Sequence, residues 1–368
     1  MTIELSPSFH DYLHSGVTLR QAIPTALHEV IEASARAVTR SIASGGRVFF
    51  FGNGGSAADS QHLAAELSGR FKTERRPLPG LALTTDTSAL TAIGNDYGYQ
   101  AVFERQLRAF AGPRDVAIGI STSGNSPNVV SALEVAREMG LRTIAWTAQG
   151  GGRCAEIAEF AVRVPSTLTE LVQEIHIAIG HYLCHRVDAV FTDSNVPIPM
   201  LGSQQSKAVS MAQLLPIRDY WRAADVRVVW TNGCFDLLHA GHLRSLKFAR
   251  NAGDVLIVGL NTDASVSQIK GPTRPVIDQT SRMEMLAALE FVDYVMLMND
   301  LDPCATLEKL RPDMHCKGED YRNVPDSKIP EKVIVERHGG RLIYAPLEAG
   351  ISTSSIVQRL KSGLGSGV

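Results

Sequence analysis

The sequence predicts an α/β protein built from two doubly wound parallel-sheet domains. Three observations support this fold class: a length of 368 residues, short apolar runs that alternate with helical patterns, and a restart of this alternation after a polar segment. One hydrophobic core rarely serves so many residues, so about two domains are expected. Strands with helices between them imply a parallel sheet that is covered on both faces.

The first domain is predicted to begin with a helical segment over about 18–44. Strands are expected at RVFFF, LALTT, DVAIGIS, RTIAWT and FAVRV, because each run is bounded by Gly, Ser, Pro or Asp. A long helix is expected from about Thr169 to Ala189. The stretch TDSNVPIPMLGSQQSKAVS has two prolines, several Ser and Gln and no apolar period, which is typical of a linker. We therefore assign the first domain to 1–195 and the linker to 196–210.

The second domain, 211–368, repeats the alternation. A helix from about 211 precedes the strand VRVVWTN, a helix through HLRSLKFARNAG, and the strand DVLIVGLN. The later runs YVMLM, DMHCKG and RLIYAP predict further strands with helices between them. The size is that of a single nucleotide-binding domain.

The composition limits the classes of partner. With 36 Lys and Arg against 38 Asp and Glu, the chain has no net basic field that would attract nucleic acid. Five scattered cysteines without a CxxC pair predict reduced thiols rather than disulfides. No apolar run reaches the ~18 residues of a membrane span, and no signal peptide is evident. We expect a cytoplasmic protein with small-molecule partners, no nucleic acid and no membrane.

A serine-rich turn in the first domain is a candidate phosphate site. The stretch GISTSGNSPN ends a strand and opens a helix, and it offers four hydroxyls, from Ser121, Thr122, Ser123 and Ser126. Hydroxyls, free amides and the positive end of a helix dipole together can hold a phosphate. Capping of the helix by these side chains is the alternative.

Two further clusters carry polar groups on predicted helices. His62 and Glu66 follow the turn GNGGS and stand four apart, which suits a metal pair or a base beside its orienting partner. An exposed surface pair is the alternative. Gln173 and His181 lie eight apart on an apolar helix, where core packing with satisfied polar groups is the alternative.

Four ordered motifs, GNGGSAADSQHLAAEL, AIGNDYG, GISTSGNS and VQEIHIAIGH, resemble the sedoheptulose 7-phosphate isomerases of the sugar isomerase (SIS) fold over about residues 1–192. The resemblance implies conversion of sedoheptulose 7-phosphate to D-glycero-D-manno-heptose 7-phosphate. It implies Zn²⁺ held by His62, Glu66, Gln173 and His181, with Glu66 and His181 also carrying the chemistry. The substrate-binding residues that it implies are Asn53, Gly54, Gly55, Asn95, Asp96, Ser121, Thr122, Ser123, Ser126 and Gln173.

One departure from that family lies in the long helix. The family usually has Asp three residues before the glutamine, and this chain has Glu170. SIS relatives are commonly dimers or tetramers, so the resemblance also implies a homo-oligomer.

The second domain contains TNGCFDLLHAGHLRSL, which places His239 and His242 at a strand-to-helix turn. Two imidazoles and a helix N-terminus at one point can stabilise charge on a phosphate during transfer. A metal pair is the alternative, but no further ligands lie close by in the sequence.

The motifs NGCFDLLHAGH, NTDASVSQIKG, CKGEDY and AGISTSSIV resemble the HxGH nucleotidyltransferases, and most closely the heptose 1-phosphate adenylyltransferase domains. Directly before GIST, where glycerol-phosphate cytidylyltransferases tend to carry an Arg and a Thr, this chain reads PLEA. The resemblance implies a Rossmann-like fold, ATP with Mg²⁺, and catalytic roles for His239, His242 and Lys270. The nucleotide-binding residues that it implies are Thr231, Asn232, Gly233, Cys234, Phe235, Arg282, Lys317, Asp320, Ser352, Thr353 and Ser354.

Together the two resemblances imply a bifunctional enzyme of ADP-heptose biosynthesis. The first product carries phosphate at C7 and the second substrate at C1, so a separate kinase and phosphatase must act between the two reactions. The sequence contains no GxxxxGK[ST] motif to supply the kinase. The alternatives are a cytidylyltransferase or another NTP-dependent sugar- or polyol-phosphate nucleotidyltransferase, with an SIS domain that senses sugar phosphate or serves as a scaffold.

Overall fold

The computed structural model describes residues 8–192 and 207–346. The chain divides into two compact units, Met1–Leu201 and Gly202–Val368. Each unit contains a five-stranded parallel sheet. The predicted α/β class with two doubly wound sheets is confirmed.

The elements of the first unit alternate between strands and helices after an initial helical pair. A 3₁₀ turn at Tyr99–Ala101 follows its fourth helix. In chain order the elements are α1 Phe9–Gln21, α2 Thr25–Ala43, β1 Val48–Gly52, α3 Gly55–Ser68, β2 Gly80–Ala82, α4 Thr87–Tyr97, α5 Glu104–Phe110, β3 Val116–Ile120, α6 Pro127–Glu138, β4 Arg142–Ala148, α7 Gly152–Ile157, β5 Phe160–Val164 and α8 Thr169–Val190.

The second unit repeats the alternation, with 3₁₀ turns at Glu319–Tyr321 and Asp326–Lys328. Its elements are α9 Met211–Ala223, β6 Val228–Gly233, α10 Ala240–Ala252, β7 Val255–Asn261, α11 Asp263–Lys270, α12 Gln279–Ala287, β8 Tyr294–Met298, α13 Cys304–Leu310, β9 Met314–Gly318, α14 Pro330–Arg337 and β10 Arg341–Ala345.

The strand order places one switch point in each sheet. The orders are β2-β1-β3-β4-β5 and β10-β9-β6-β7-β8. The chain therefore reverses direction across the sheet between β1 and β3, and again between β6 and β9. In open α/β sheets, ligands bind at the carboxyl ends of the strands at such a point.

Both sheets are buried on their two faces, as helices on either side require. All five residues of β1 and all seven residues of β7 are buried. In the first unit one core face is formed by Phe49 and Phe51 of β1 against Leu133 of α6. Continuous apolar runs such as VFFF and VLIV therefore reflect strands covered by helices on both faces.

The predicted helical segment over 18–44 is wrong in its extent, because two helices occupy this region. α1 begins at Phe9, where Ser8 and Asp11 form a capping box. Pro24 separates the two helices, because its ring and its missing N–H do not allow α1 to continue through it. Its backbone is extended, and α2 begins at the next residue. The long helix predicted from Thr169 is observed as α8.

The end of the predicted linker is paired with the second sheet. Ala208 forms a parallel bridge with Val295 of β8, and Val209 N–H donates to the Val295 carbonyl at 2.9 Å. Residues 196–206 of the linker lie outside the described residues.

All five cysteines are free thiols, as the sequence predicts. Among the helices in the described parts of the chain, none combines the length and the apolar character needed to cross a membrane.

Candidate functional sites

The glycine turn after β1 sets the start of α3. Gly54 has φ +56°, in the left-handed region that favours glycine. A Cβ at Gly55 would lie 2.5 Å from Nε2 of Gln173, so a larger residue cannot occupy this position without displacing α8 or the Gln173 side chain. The turn therefore allows the start of α3 to lie against α8.

Three side chains from α3 and α8 meet in one cluster, and the sequence predicted all three. His62 Nε2 lies 3.0 Å from His181 Nε2 and 3.3 Å from Glu66 Oε1. The three ligand atoms all lie within 4.8 Å of one another. The His62 side chain is 48% exposed and that of Glu66 22%, so solvent or a substrate can reach the cluster.

The cluster fits a zinc ion by geometry and by donor type. Ligand atoms on a tetrahedral Zn²⁺ with bonds of about 2.0–2.1 Å lie roughly 3.3 Å apart. The two short separations from His62 Nε2 match that value. Two imidazoles and one carboxylate also form the donor set of an open catalytic zinc site. His62, Glu66 and His181 are therefore the residues that would hold the ion.

Gln173, the fourth predicted ligand, lies at the glycine turn beside Gly55. Its role as a ligand stays a prediction. The predicted alternative of an exposed, unrelated His62 and Glu66 pair does not describe the structure, since His181 from another helix completes the cluster.

Gly180 permits the close approach of α3 and α8. A Cβ at this position would lie 2.5 Å from Cδ2 and 2.8 Å from Cδ1 of Leu63, whose side chain is 1% exposed. Leu63 and Gly180 directly follow and precede the two histidines of the cluster. The meeting of His62 with His181 thus depends on a residue without a side chain at 180.

The serine turn after β3 has the form expected of a phosphate site. Ser121 Oγ lies 3.0 Å from Ser126 Oγ and 3.3 Å from Ser123 Oγ. Ser126 precedes α6, yet its side chain makes no capping hydrogen bond to that helix. The hydroxyls therefore converge on one another, which favours the phosphate interpretation over the capping alternative.

Asn53 and Asn128 join the two sides of the switch point in the first sheet. Asn53 Nδ2 donates to Asn128 Oδ1 at 2.9 Å, and Asn128 Nδ2 donates to Asn53 Oδ1 at 2.8 Å. Tyr99 Oη also donates to Asn53 Oδ1 at 3.3 Å. Sequence reasoning missed Asn128, although it follows the serine turn directly.

Two predicted substrate-binding residues lie on α4. Asn95 and Asp96 are exposed and bonded to each other, with Asn95 Nδ2 to Asp96 Oδ1 at 2.8 Å. Asp59, one turn before His62, was not predicted. Burial raises the pKa of its carboxyl, against the opposing charge of His62, and its Oδ2 has no hydrogen-bond partner.

We expect Gly180→Ala to destabilise the first unit. Overpacking costs about 1–3 kcal/mol, which should exceed the gain in helix propensity of up to about 1 kcal/mol. Calorimetry of the full chain should show a lower melting temperature for one transition. Gly112→Ala is the control, because a Cβ at 112 meets nothing within 4 Å. An unchanged melting temperature for Gly180→Ala would contradict the packing argument.

The second candidate site lies after β6, at the start of α10. His239 is the N-cap residue of α10 and makes no side-chain capping bond. The rings of His239 and His242 stack with their centroids 3.9 Å apart. Nδ1 of each ring is buried without a hydrogen-bond partner. Buried polar atoms without partners are rare, so two at one helix start indicate a place for a ligand.

The two imidazoles are held neutral. Burial lowers the pKa of His242 to about 4, with further lowering by the charges of His239 and Lys270. Burial also lowers the pKa of His239. Lys270 ends α11 and is exposed. A phosphate bound here would favour the protonated imidazoles and so reverse this effect.

Thr231 and Asn232 bridge β6 and β9 across the second switch point. Thr231 Oγ1 donates to the Cys316 carbonyl at 2.9 Å. Asn232 Oδ1 lies 3.2 Å from Nε2 of His315 and 3.3 Å from Nε1 of Trp230. These contacts fix the end of β6, whose last residue is Gly233 and which Cys234 and Phe235 follow.

Arg282 supports the HxGH loop from within the protein. Its side chain is fully buried, and it donates to the carbonyls of Ile277, Cys234 and Asn261 and to the Asp263 carboxylate. These bonds give the guanidinium a role in holding the HxGH loop. Its predicted contact with the nucleotide stays a prediction.

Asp236 provides a second support for the same loop. Its Oδ1 accepts from the backbone N–H groups of Val276 and Ile277 at 2.7 and 3.0 Å, and its carboxylate pairs with Arg274. These contacts join the HxGH loop to the segment before α12. Sequence reasoning missed this buried carboxylate.

Two further predicted nucleotide-binding residues, Lys317 and Asp320, lie at and just after the end of β9. Lys317 Nζ pairs with Glu331 Oε1 at 2.6 Å and lies 4.4 Å from the centroid of the Tyr321 ring. Asp320 is exposed in a 3₁₀ turn after β9. Ser352, Thr353 and Ser354 lie outside the described residues.

We expect His242 to titrate near pH 4 in the ligand-free protein, measured by NMR of labelled imidazoles and assigned with His242→Gln. Its pKa is lower than in the unfolded chain, so its contribution to stability is constant above about pH 6.5 and is lost as the pH falls toward 4. Added inorganic triphosphate should raise the midpoint. A midpoint near 6.5 without ligand would contradict the assigned burial effect.

Each of the two units of the chain matches a different protein family. The SIS domain family matches residues 11–148, and the cytidylyltransferase-like family matches residues 230–359. Fold and sites together define a fusion of an SIS domain with a nucleotidyltransferase-like domain. Both resemblances predicted from the sequence are confirmed at this level.

Curated relatives resolve the first half further. The phosphoheptose isomerase of Rhodospirillum rubrum is 56% identical over 158 residues, which are 43% of this chain and 84% of that relative. That of Aquifex aeolicus is 57% identical over 151 residues, 41% and 79% respectively. A solved phosphoheptose isomerase from Neisseria gonorrhoeae is 40% identical, with coverage of 49% and 96% and a TM-score of 0.46. Through its first half, the chain belongs to the phosphoheptose isomerase family.

Proposed function

We propose that the chain is a bifunctional enzyme of ADP-heptose biosynthesis. The first unit isomerises sedoheptulose 7-phosphate to D-glycero-D-manno-heptose 7-phosphate. The second transfers AMP from ATP to D-glycero-β-D-manno-heptose 1-phosphate and releases pyrophosphate. The observation that carries the proposal is the cluster of His62, Glu66 and His181 in a chain whose first half belongs to the phosphoheptose isomerase family.

The isomerisation moves a carbonyl from C2 to C1 through an enediol. One group removes a proton from C1 and a proton is then delivered to C2, while a second group exchanges protons with O1 and O2. Glu66 and His181 have the residue types for these two roles. The Ser121, Ser123 and Ser126 hydroxyls would hold the 7-phosphate, and Asn53 would orient the chain of hydroxyls.

Zn²⁺, when bound, would polarise the substrate oxygens and stabilise the charge that develops on them. His62 has no proton to move in this scheme, and it would serve as a ligand only. Exposure of the cluster leaves access for a sugar phosphate.

In the transfer reaction, a phosphate oxygen of the sugar 1-phosphate attacks the α-phosphorus of ATP, and the bond to the β-phosphate oxygen breaks. His239, His242 and Lys270 would stabilise the charge that builds on the phosphates. Mg²⁺ would accompany the triphosphate and neutralise the leaving pyrophosphate.

The two reactions would be the first and last of a series. Between the two reactions, a kinase must add a phosphate at C1 and a phosphatase must remove the phosphate at C7. These enzymes would be separate proteins. A homo-oligomer formed through the SIS domain belongs to the same proposal, as do a cytoplasmic location and the absence of nucleic-acid and membrane partners.

Glu66→Gln should lower the isomerisation rate by roughly 10²–10⁴-fold, because the amide cannot exchange the proton. Products from purified full chain and sedoheptulose 7-phosphate would be identified by mass and NMR. Glu138→Gln is the control, since this carboxyl is 65% exposed and pairs with Arg108. A parent protein that binds the sugar phosphate without turnover would instead support a sensor or scaffold role.

The nucleotide is tested separately, because the cytidylyltransferase-like family description favours CTP as the second candidate. The full chain is incubated with heptose 1-phosphate and each nucleoside triphosphate in turn, and pyrophosphate release is measured. We expect ATP to give the highest kcat/KM, since the residues directly before GIST read PLEA and lack the Arg and Thr expected there for cytidylyl transfer. Preferred release from CTP would refute the adenylyl assignment and leave the isomerase proposal intact.

A further inference from the structure

A buried ion pair joins the ends of the two helices that carry the cluster. The Arg75 side chain has no exposed surface, and that of Asp188 is 3% exposed. Arg75 Nε donates to Asp188 Oδ1 at 2.7 Å. Asp188 belongs to α8, two turns beyond His181, and Arg75 lies in the segment after α3.

Arg75 also binds the C-terminal end of α3. Its Nη2 donates to the Glu66 carbonyl at 2.8 Å, and its Nη1 donates to the Leu67 carbonyl at 3.0 Å. The last carbonyls of a helix lack partners within the helix, and a cation there also interacts favourably with the helix dipole. The guanidinium therefore fixes the backbone of Glu66 itself.

Asp188 binds the segment that leads from α3 to Arg75. Its Oδ2 accepts from the backbone N–H groups of Lys72 and Thr73 at 2.9 and 3.0 Å. Burial alone would raise the pKa of this carboxyl, but the hydrogen bonds from Thr73, Arg75 and Lys72 outweigh burial and lower the pKa. The Asp188 carboxylate is thus ionised, and both of its oxygens bond α8 to this segment.

We propose that Arg75 and Asp188 are positioning residues for the metal site, because they hold α3 and α8 in the register that brings Glu66 and His62 to His181. The inference rests on the proposed function of that cluster as a zinc site. Partners that orient metal ligands typically change metal affinity by about 10–100-fold when they are replaced. The hydrogen bonds of the pair within the described residues go to backbone groups and to each other, so the pair acts through the Glu66 carbonyl and the α8 backbone.

The test uses Arg75→Lys in the full chain. One ammonium can pair with Asp188 or reach the helix carbonyls, but it lacks the planar fork that does both. Co²⁺ is the probe, and its visible absorption reports both affinity and ligand geometry. We expect Arg75→Lys to bind Co²⁺ about 10–100-fold more weakly than the parent and with an altered spectrum.

Asp115→Asn is the matched control. Asp115 is a buried carboxylate of the same unit, 1% exposed, and it accepts from the N–H of Arg47 before β1 and from the N–H of Gly112 before β3. This variant should lower the melting temperature and leave Co²⁺ affinity unchanged. A role of Arg75 in stability alone would give Arg75→Lys the same result as the control, and that result would overturn the proposal.

The outcomes separate this inference from the proposed site. Co²⁺ binding by the parent that His62→Ala does not remove would overturn both. Binding that His62→Ala removes and Arg75→Lys leaves unchanged would overturn the positioning role alone. If Arg75→Lys does not fold, the double variant Arg75→Met with Asp188→Leu removes both charges, an exchange that proteins often tolerate. The same loss of affinity is expected.

A measurement on the parent covers the case in which neither variant folds. Coupling between two sites is reciprocal, so Co²⁺ should slow hydrogen exchange of the Lys72 and Thr73 amides that Asp188 binds. Unchanged exchange at these amides, with protection elsewhere in the unit, would overturn the proposal.

Discussion

The packing of α3 against α8 is the constraint on which the first site depends. The carboxylate and the two imidazoles of the cluster come from two helices that are more than a hundred residues apart in the chain, and no single element contains them. Gly180 allows the helices to touch through Leu63, and the Arg75–Asp188 pair bonds their far ends. The close contact at Gly180 sets the distance between α3 and α8, and the buried ion pair sets their register. The ligand geometry follows from that helix packing, since side chains on a rigid pair of helices have few rotamers that avoid one another.

The second site is built on a loop and requires a different form of support. The HxGH loop leaves β6 through Phe235, which has a positive φ of 44°, and it enters α10 at His239. Loops that position catalytic groups need bonds to rigid elements around them. Here a buried guanidinium, Arg282, donates to a loop carbonyl, and a buried loop carboxylate, Asp236, accepts from the backbone of the segment before α12. The Nδ1 atoms of the two imidazoles are buried without hydrogen-bond partners, so the supports bind the loop and leave these two rings unbonded at Nδ1.

Most of the fold could be predicted from the sequence, because parallel strands that are buried on both faces read as short apolar runs between helical patterns. The strand β1 and the helix α8 are clear examples. The helix boundary near Pro24 was missed, since the prediction joined two amphipathic segments across a proline. Site residues in motifs, such as His62 and His239, could be named from the sequence. Asn128, Asp236 and the Arg75–Asp188 pair could not, because their roles consist of tertiary contacts between segments that no local pattern connects. The burial of Arg282 and its bond to the Cys234 carbonyl are likewise tertiary features that its motif does not predict.

The two proposed reactions share a chain without sharing an intermediate. The isomerase product would have its phosphate at C7, and the transferase needs phosphate at C1, so no molecule could pass directly from one site to the other. Direct transfer between the sites therefore gives no reason for the fusion. A single chain would fix the number of isomerase and transferase sites at one to one, and it would keep both sites in the same place. Under the proposed function, the fusion links the enzyme that starts the series to the enzyme that converts its last sugar phosphate to ADP-heptose. The kinase and the phosphatase between them act on freely diffusing intermediates.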